Sequence, residues 1–306
     1  MGYAIRMGLL DGKVAIVTGA GRGLGREEAL ALARHGAQVI VNDIGTSLSG
    51  EGKDVSPADE VVGAIKAAGG SASANREDIS DWNGARRSVE QAYDQHGRLD
   101  IVVNNAGVLR DRMSFNMSEE EFDLVMRVHC KGHFAMIRHA CERWRELAKR
   151  DGTTYGRVIN TSSEAGLMGS AGNANYAMAK AAIAALTIST AREMGKYGVR
   201  ASFIAPRART RMTLSMPNHA MFDEPESGFD VFHAAWPAEL VVFLASEHAN
   251  DFNGQGFVVW GGQVVLVRGW HIVNQITKDG GAITAEDLVQ RKAELFGDQP
   301  REPGFL

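Results

Sequence analysis

Short, nearly unbroken apolar runs recur along the chain and alternate with longer segments of helical period. The runs fall at residues 13–18 (KVAIVT), 38–42 (QVIVN), 72–76, 99–104 (LDIVVN), 156–161 (GRVINT), 199–204 (VRASFI) and 256–260 (GFVVW). Strands that lack polar alternation are buried on both faces. Their alternation with helices predicts βαβ units: an α/β fold with a doubly wound parallel sheet of about seven strands, covered by helices on both sides. No repeat or low-complexity linker divides residues 1–306, so a single domain is expected. Its core spans about 8–265, and residues 266–306 form a C-terminal extension of helix and tail.

Two segments break the rhythm. Residues 44–57 (IGTSLSGEGKDVSP) are a polar, Gly/Ser-rich loop after the second strand. Residues 206–236 follow the sixth strand and carry Met212, Met216, Met221, Phe222, Phe229, Phe232 and Trp236. A loop this long is usually functional, and its side chains suit a lid over a bulky apolar substrate. Ordinary core packing is the plain alternative.

Composition narrows the classes. Thirty-three Lys and Arg against 37 Asp and Glu give a net charge of −4. That leaves no basic excess for a nucleic-acid partner. No apolar stretch approaches the roughly 18 residues of a membrane span, and the first residues hold no signal-peptide core. Cys130 and Cys141 share one predicted helix, about 16 Å apart at helical rise, too far to bridge. A reduced, cytoplasmic protein is expected. Glycine is the anomaly: 35 of 306 residues.

Part of that excess is organised. The first strand runs into Thr18-Gly19-Ala20-Gly21-Arg22-Gly23-Leu24-Gly25, and a helix follows. Strand, glycine turn and helix in this order aim backbone N–H groups and a helix N-terminus at an anion. The spacing G-x-x-x-G-x-G matches neither G-x-G-x-x-G nor a P-loop; a tight turn that binds nothing is the bland reading. Asp43 ends the second strand, where an acidic residue accepts ribose hydroxyls and repels a 2′-phosphate. That favours NAD. Arg22, inside the loop, is suited to a 2′-phosphate and keeps NADP as the alternative. Asp78, with Ile79 beside it, ends the third strand segment and is placed to reach an adenine. Asn104-Asn105-Ala106-Gly107 ends the fourth, its small residues suiting close passage of a cofactor.

Tyr176 and Lys180 stand four apart at the start of an Ala-rich helix and so share a face. An ammonium near a phenol favours the phenolate, which makes Tyr176 a candidate general base. Ser163, just past the fifth strand, is placed to hold the substrate oxygen. Taken alone, such a Tyr/Lys pair is common on solvated helices.

Together, Thr18-Gly19…Gly23-Leu24-Gly25, Asn104-Asn105-Ala106-Gly107, Ser163 and Tyr176…Lys180 resemble, in order and spacing, the short-chain dehydrogenase/reductase family over roughly residues 8–265. The resemblance implies a Rossmann-type sheet, a nicotinamide cofactor and interconversion of an alcohol and a carbonyl. It implies that Tyr176 is the acid/base, that Lys180 lowers its pKa and binds the nicotinamide ribose, and that Ser163 stabilises the reacting oxygen. It places the glycine loop, Asp43, Asp78, Ile79, Asn105, Ala106, Gly107, Tyr176, Lys180, Pro206 and Thr210 against the cofactor. It also implies a homodimer or homotetramer.

The chain departs from the family pattern twice. His129 stands where an Asn usually supports a proton-relay water, and Pro206-Arg207 replaces Pro-Gly. With Gly107-Val-Leu-Arg-Asp-Arg112, Val128-His129 and Thr210-Arg211-Met212-Thr213, these departures resemble the (3R)-hydroxyacyl-CoA dehydrogenase branch. His129, Cys130 and His133 lack the companion ligands of a metal site, and none is expected. The expected activity is therefore NAD-dependent oxidation of a (3R)-hydroxyacyl-CoA, a bulky or steroid-derived acyl group included, to the 3-oxoacyl-CoA. Arg207, Arg209 and Arg211 are candidates for CoA phosphates, or simply paired with acids. The rivals are a dehydrogenase of free hydroxysteroids or other secondary alcohols, an NADPH-dependent ketoreductase, and a catalytically silent NAD-binding scaffold.

Overall fold

A computed structural model of the chain describes residues 8–47, 51–52, 56–215, 219–269 and 272–297. Met216, part of the 44–57 loop and both chain ends lie outside them. The strands are β1 (Val14–Thr18), β2 (Gln38–Asn42), β3 (Ser71–Asn75), β4 (Ile101–Asn104), β5 (Gly156–Thr161), β6 (Val199–Pro206), β7 (Gln255–Trp260) and β8 (Gln263–Val267). The helices are α1 (Gly23–Arg34), α2 (Ser56–Ala67), α3 (Trp82–His96), α4 (Glu119–Met126), α5 (Gly132–Asp151), α6 (Glu164–Met168), α7 (Ala174–Met194), α8 (Arg211–Leu214), α9 (Ala235–Ala245) and α10 (Ala285–Phe296). The chain divides into two compact units, residues 1–267 and residues 268–306. The first holds the whole sheet; the second holds α10, whose N-terminus is closed by a reciprocal Thr284/Asp287 capping pair.

The sheet has eight strands in the order β3-β2-β1-β4-β5-β6-β7-β8. The first seven in the chain run parallel, each within two residues of the run that predicts it. The eighth is a difference from the sequence reading, which expects about seven strands and ends the last at residue 260. Trp260 pairs with Gln263 across Gly261-Gly262, and β8 runs antiparallel to β7. Gly261 takes a positive φ of 47°, the conformation that lets two glycines close a hairpin.

Each face of the sheet carries its own apolar layer. Ala15, Val17, Ile159 and Ile204 pack on one side with Ala29 and Leu32 of α1, Val61 and Ile65 of α2, and Val241 of α9. Val14, Ile16, Val102 and Val158 pack on the other with Val89 of α3, Met136 and Trp144 of α5, and Ala191 of α7. Trp144 is fully buried and its indole Nε1 donates to the Leu99 carbonyl at 2.7 Å. Gly156 makes room for it: a Cβ there would lie 2.9 Å from the indole. Trp144→Ala should cost about 3–5 kcal/mol through the cavity and the lost hydrogen bond, read as a lower urea midpoint. An unchanged midpoint would contradict this packing.

Candidate active site

The strand order reverses between β1 and β4, the place where parallel α/β sheets open a crevice at their carboxyl ends. The glycine loop leaves β1 at this point. Asn105 binds it down: its Nδ2 donates to the Thr18 and Gly19 carbonyls, both at 3.2 Å. Thr18 Oγ1 accepts in return from Asn105 N and Ala106 N. Gly19 and Gly25 are required by this packing. A Cβ on Gly19 would lie 2.7 Å from Ala106 Cα, and one on Gly25 would lie 2.4 Å from the Gly19 carbonyl oxygen. Gly23 adopts φ 56° as α1 begins. Arg22, the N-cap of α1, makes no side-chain cap bond, and no acid occupies the first turn. The orphan N–H groups of that turn fit an anionic pyrophosphate.

Asp43 organises the same loop. Its carboxylate accepts from Gly21 N at 2.8 Å and Gly45 N at 2.7 Å. The bond from Gly45 makes an Asx turn, and the bond from Gly21 clamps the glycine loop as well. Ionised carboxylates have about four acceptor positions, so capacity for ribose hydroxyls remains. Asp78 accepts from Ser80 N, and buried Ile79 packs on Gly132. A Cβ on Gly107 would lie 2.4 Å from the His129 ring.

Ser163 caps α6 at the end of β5, its Oγ accepting from Ala165 N at 3.2 Å, which leaves its O–H as a donor. Tyr176 and Lys180 lie one turn apart on α7. Asn175, unremarked in the sequence, positions Tyr176: its Oδ1 accepts from Tyr176 N at 2.7 Å while Nδ2 donates to the Arg110 and Glu121 carbonyls. Lys180 is buried and its Nζ donates to the Thr161 carbonyl at 2.6 Å. His129 sits in a π-helical turn, Arg127–Lys131, between α4 and α5; such turns are frequent at functional sites. Its ring meets Tyr176 edge-on, centroids 5.4 Å apart, and its Nε2 is held by the backbone of Val108.

The charge states differ from the simplest expectation. Burial pushes the Tyr176 phenol up to about 12, with the Ser163 hydroxyl opposing the rise. Burial lowers Lys180 to about 7. Lys180 is engaged with Thr161, 5.4 Å from the centre of the Tyr176 ring, so a lysine-lowered phenol is not what this arrangement displays.

The segment after β6 crosses the cleft. Pro206 ends β6 opposite Val259. Thr210 caps α8, with its methyl 3.6 Å from where a Gly23 Cβ would be. Met212 Sδ accepts from the Tyr176 hydroxyl at 3.9 Å. Two of the three arginines are paired: Arg207 with Glu164 at 2.6 Å and Arg209 with Asp230. Arg211 instead feels the charges of Arg22 and Asp43. The sequence-predicted residues thus converge at the carboxyl ends of the strands.

A short chain dehydrogenase family model matches residues 13–219. The chain belongs to the short-chain dehydrogenase family. It is 47% identical over 299 residues to hydroxyacyl-CoA dehydrogenase ChsB1 of Mycobacterium tuberculosis, covering 97% of this chain and 92% of that one. It is 41% identical over 258 residues to the mouse peroxisomal multifunctional enzyme type 2, covering 84% of this chain but 33% of the larger enzyme. A crystal structure of a Mycobacterium avium short chain dehydrogenase matches at 44% identity and a TM-score of 0.85, over 97% of this chain and 99% of that one. The branch read from the sequence is the one that holds the hydroxyacyl-CoA dehydrogenase ChsB1 and the multifunctional enzyme type 2. Among the described residues, no helix is long and apolar enough to cross a membrane.

Glu28 is the largest omission of the sequence reading. It is fully buried on α1, and burial raises its carboxyl to about 8 against the pull of Lys180. The signal was available: Glu28 follows Gly25 by three and precedes Leu32 by four, which puts a charge on the helix's buried stripe.

The histidines of this dehydrogenase set an acid limit. Burial and Lys180 hold His129 at about 3 in the fold, against an ordinary 6.5, and His133 is lowered in the same way. Between those pH values the unfolded chain binds protons that the fold refuses. Stability is therefore full above about 6.5 and lost as pH falls toward 3. His129→Asn should flatten the decline of Tm across that window in scanning calorimetry; equal slopes would contradict it.

Proposed function

We propose that the protein oxidises the 3-hydroxyl of a (3R)-hydroxyacyl-CoA with NAD. The observation that carries the reading is the meeting of Ser163, Tyr176 and Lys180 at the end of β5, beside the open N-terminus of α1. Ser163 donates to the substrate oxygen and holds it against the Tyr176 hydroxyl. Tyr176, as phenolate, takes the alcohol proton as the C–H bond breaks. A bound nicotinamide would supply the hydride acceptor. For the phenolate to form, the cost of its burial must be met by positive charge, and Lys180 is the cation on its helix face. Met212 leaves the Tyr176 hydroxyl as the substrate oxygen arrives. Residues Asp43, Asp78, Ile79, Asn105, Ala106, Gly107, Pro206 and Thr210 would line the cofactor.

The thioester assignment is supported by the named activity of ChsB1, with which this chain aligns over nearly its whole length. NAD is supported by Asp43 at the end of β2. One observation favours a second reading, an NADPH-dependent ketoreductase: Arg211 lies within electrostatic reach of both Arg22 and Asp43. A homo-oligomer is supported by Phe134 on α5 and Met178 on α7, each about half exposed. A reducing cytoplasm is supported by two unpaired cysteines.

Tyr176→Phe should lower kcat by roughly 10²–10⁴, the worth of a positioned general base, with folding intact by circular dichroism. Retention of most activity would sink the mechanism. Asp43→Ala should relax discrimination against NADP, read as the ratio of kcat/KM for the two cofactors; an unchanged ratio would favour the second reading.

A further inference from the structure

Arg207, a candidate for CoA phosphates on its sequence, is committed to a contact inside the fold. Its Nε and Nη2 donate to the two carboxylate oxygens of Glu164, at 2.7 and 2.6 Å. Its guanidinium carbon lies 4.2 Å from the centre of the Trp260 ring. Its backbone N–H donates to the Val259 carbonyl at 2.9 Å. The two paired side chains are only 21% and 18% exposed. A two-point fork between guanidinium and carboxylate fixes direction as well as distance. The aromatic ring under the guanidinium holds the fork in its plane.

Glu164 is the residue after Ser163 and the first of α6. Ser163 Oγ accepts from Ala165 N at 3.2 Å, and the Ser163 carbonyl accepts from Gly166 N at 3.0 Å. Glu164 thus lies inside the small ring that sets the direction of the Ser163 hydroxyl. The helix it begins has five residues and ends at Gly169, with φ 83°. Isolated helices of fewer than roughly 12 residues are marginal in water, so the orientation of α6 comes from what it is fastened to.

Its fastenings lie on two sides. Toward α7, Ser162 Oγ donates to the Lys180 carbonyl at 2.8 Å. Gly166 sits so close that a Cβ there would lie 2.5 Å from the Lys180 carbonyl carbon. Toward β6, Ser162 N donates to the Ile204 carbonyl at 2.7 Å, and beyond it comes the bond from Arg207 to Glu164. The first three contacts hold the backbone before and after the cap. The Arg207 fork holds the residue within it. Arg207 takes its own place from the ends of β6 and β7, which lie on the far side of β5 from the glycine loop in the strand order.

We propose that Arg207 is a positioning residue for Ser163: braced on Trp260, it holds Glu164 and thereby the one-turn helix that Ser163 caps. The inference rests on the reading of Ser163 as the group that holds the substrate oxygen. Arg207 touches neither substrate nor CoA phosphate in this role and acts through Glu164. Without the guanidinium, the Glu164 carboxylate turns toward solvent and the Ser163 hydroxyl loses its fixed aim at the oxygen that Tyr176 deprotonates. A displacement of that kind weakens the chemical step rather than the binding of the distant CoA moiety.

The test compares Arg207→Met, Arg207→Lys, Glu164→Gln and the double variant Arg207→Met/Glu164→Gln with the wild type. The substrates are (3R)-hydroxyoctanoyl-CoA and the matching pantetheine thioester, which lacks the CoA phosphates, each with NAD. Arg207→Met should lower kcat about tenfold on both thioesters with KM nearly unchanged, short of the roughly 10²–10³ lost with an oxyanion donor itself. Glu164→Gln should do the same, and the double variant should be no slower than the slower single one, because both remove one contact. Arg207→Lys, which keeps the charge but not the fork, should recover part of the rate. Tm should hardly move, since a pair near the surface adds little stability. A higher KM confined to the CoA thioester, with kcat intact, would make Arg207 a phosphate ligand and overturn the proposal. Multiplying losses in the double variant, or rate losses that only follow a falling Tm, would overturn it too. Full activity in Ser163→Ala would overturn the underlying reading instead; wild-type kcat in Arg207→Met with Ser163→Ala inactive would overturn this proposal alone.

Discussion

The structure depends on one joint. Where the strand order reverses, β1 and β4 diverge above their last paired residues, Thr18 and Asn104. The chain holds that opening with a reciprocal set of bonds between Thr18, Gly19, Asn105 and Ala106. Gly19 and Gly25 are the price of the close approach, since any side chain at either position would drive into backbone. The α1 N-terminus and the Asp43 clamp are both positioned from this joint. Behind it, Asn104 Nδ2 donates to Asn160 Oδ1 and Asn160 Nδ2 to Thr187 Oγ1, tying the ends of β4 and β5 to α7. The helix that carries Tyr176 and Lys180 is thereby fixed to the same strands as the glycine loop.

Burial governs the chemistry of the site. It disfavours charge on Tyr176, Lys180, His129, His133 and Glu28 alike, so each group's state depends on the others. The carboxyl of Glu28 and the ammonium of Lys180 are each pushed toward neutral, to about 8 and about 7. The same burial leaves the phenol of Tyr176 high, so its ionisation has to be drawn out by the charges gathered around it.

Much of this was legible from the chain. The seven parallel strands were plain because their apolar runs are continuous, and the glycine loop because its spacing is fixed between a strand and a helix. Ser163, Tyr176 and Lys180 stood out because, with the glycine loop, their order and spacing resemble a known family. β8 was missed because only two residues separate QVVLV from β7 and it alternates weakly. Glu28 was missed because a glutamate in REEALALAR looks like helix surface until the buried stripe is traced. Asp43 shows another limit: its spacing suggested a ribose ligand, whereas its clamp on Gly21 depends on a loop path no spacing encodes. The pairing of Arg207 with Glu164 and Arg209 with Asp230 likewise came from tertiary folding, while Arg211 is within electrostatic reach of Arg22 and Asp43.

The central claim is that a thioester alcohol is oxidised at Tyr176. The most direct measurement is NADH formation from a series of (3R)-hydroxyacyl-CoA thioesters, beside the matching free hydroxy acids and hydroxysteroids. Turnover of the thioesters with little or none of the free alcohols is the predicted result. Preference for the free alcohols would contradict it.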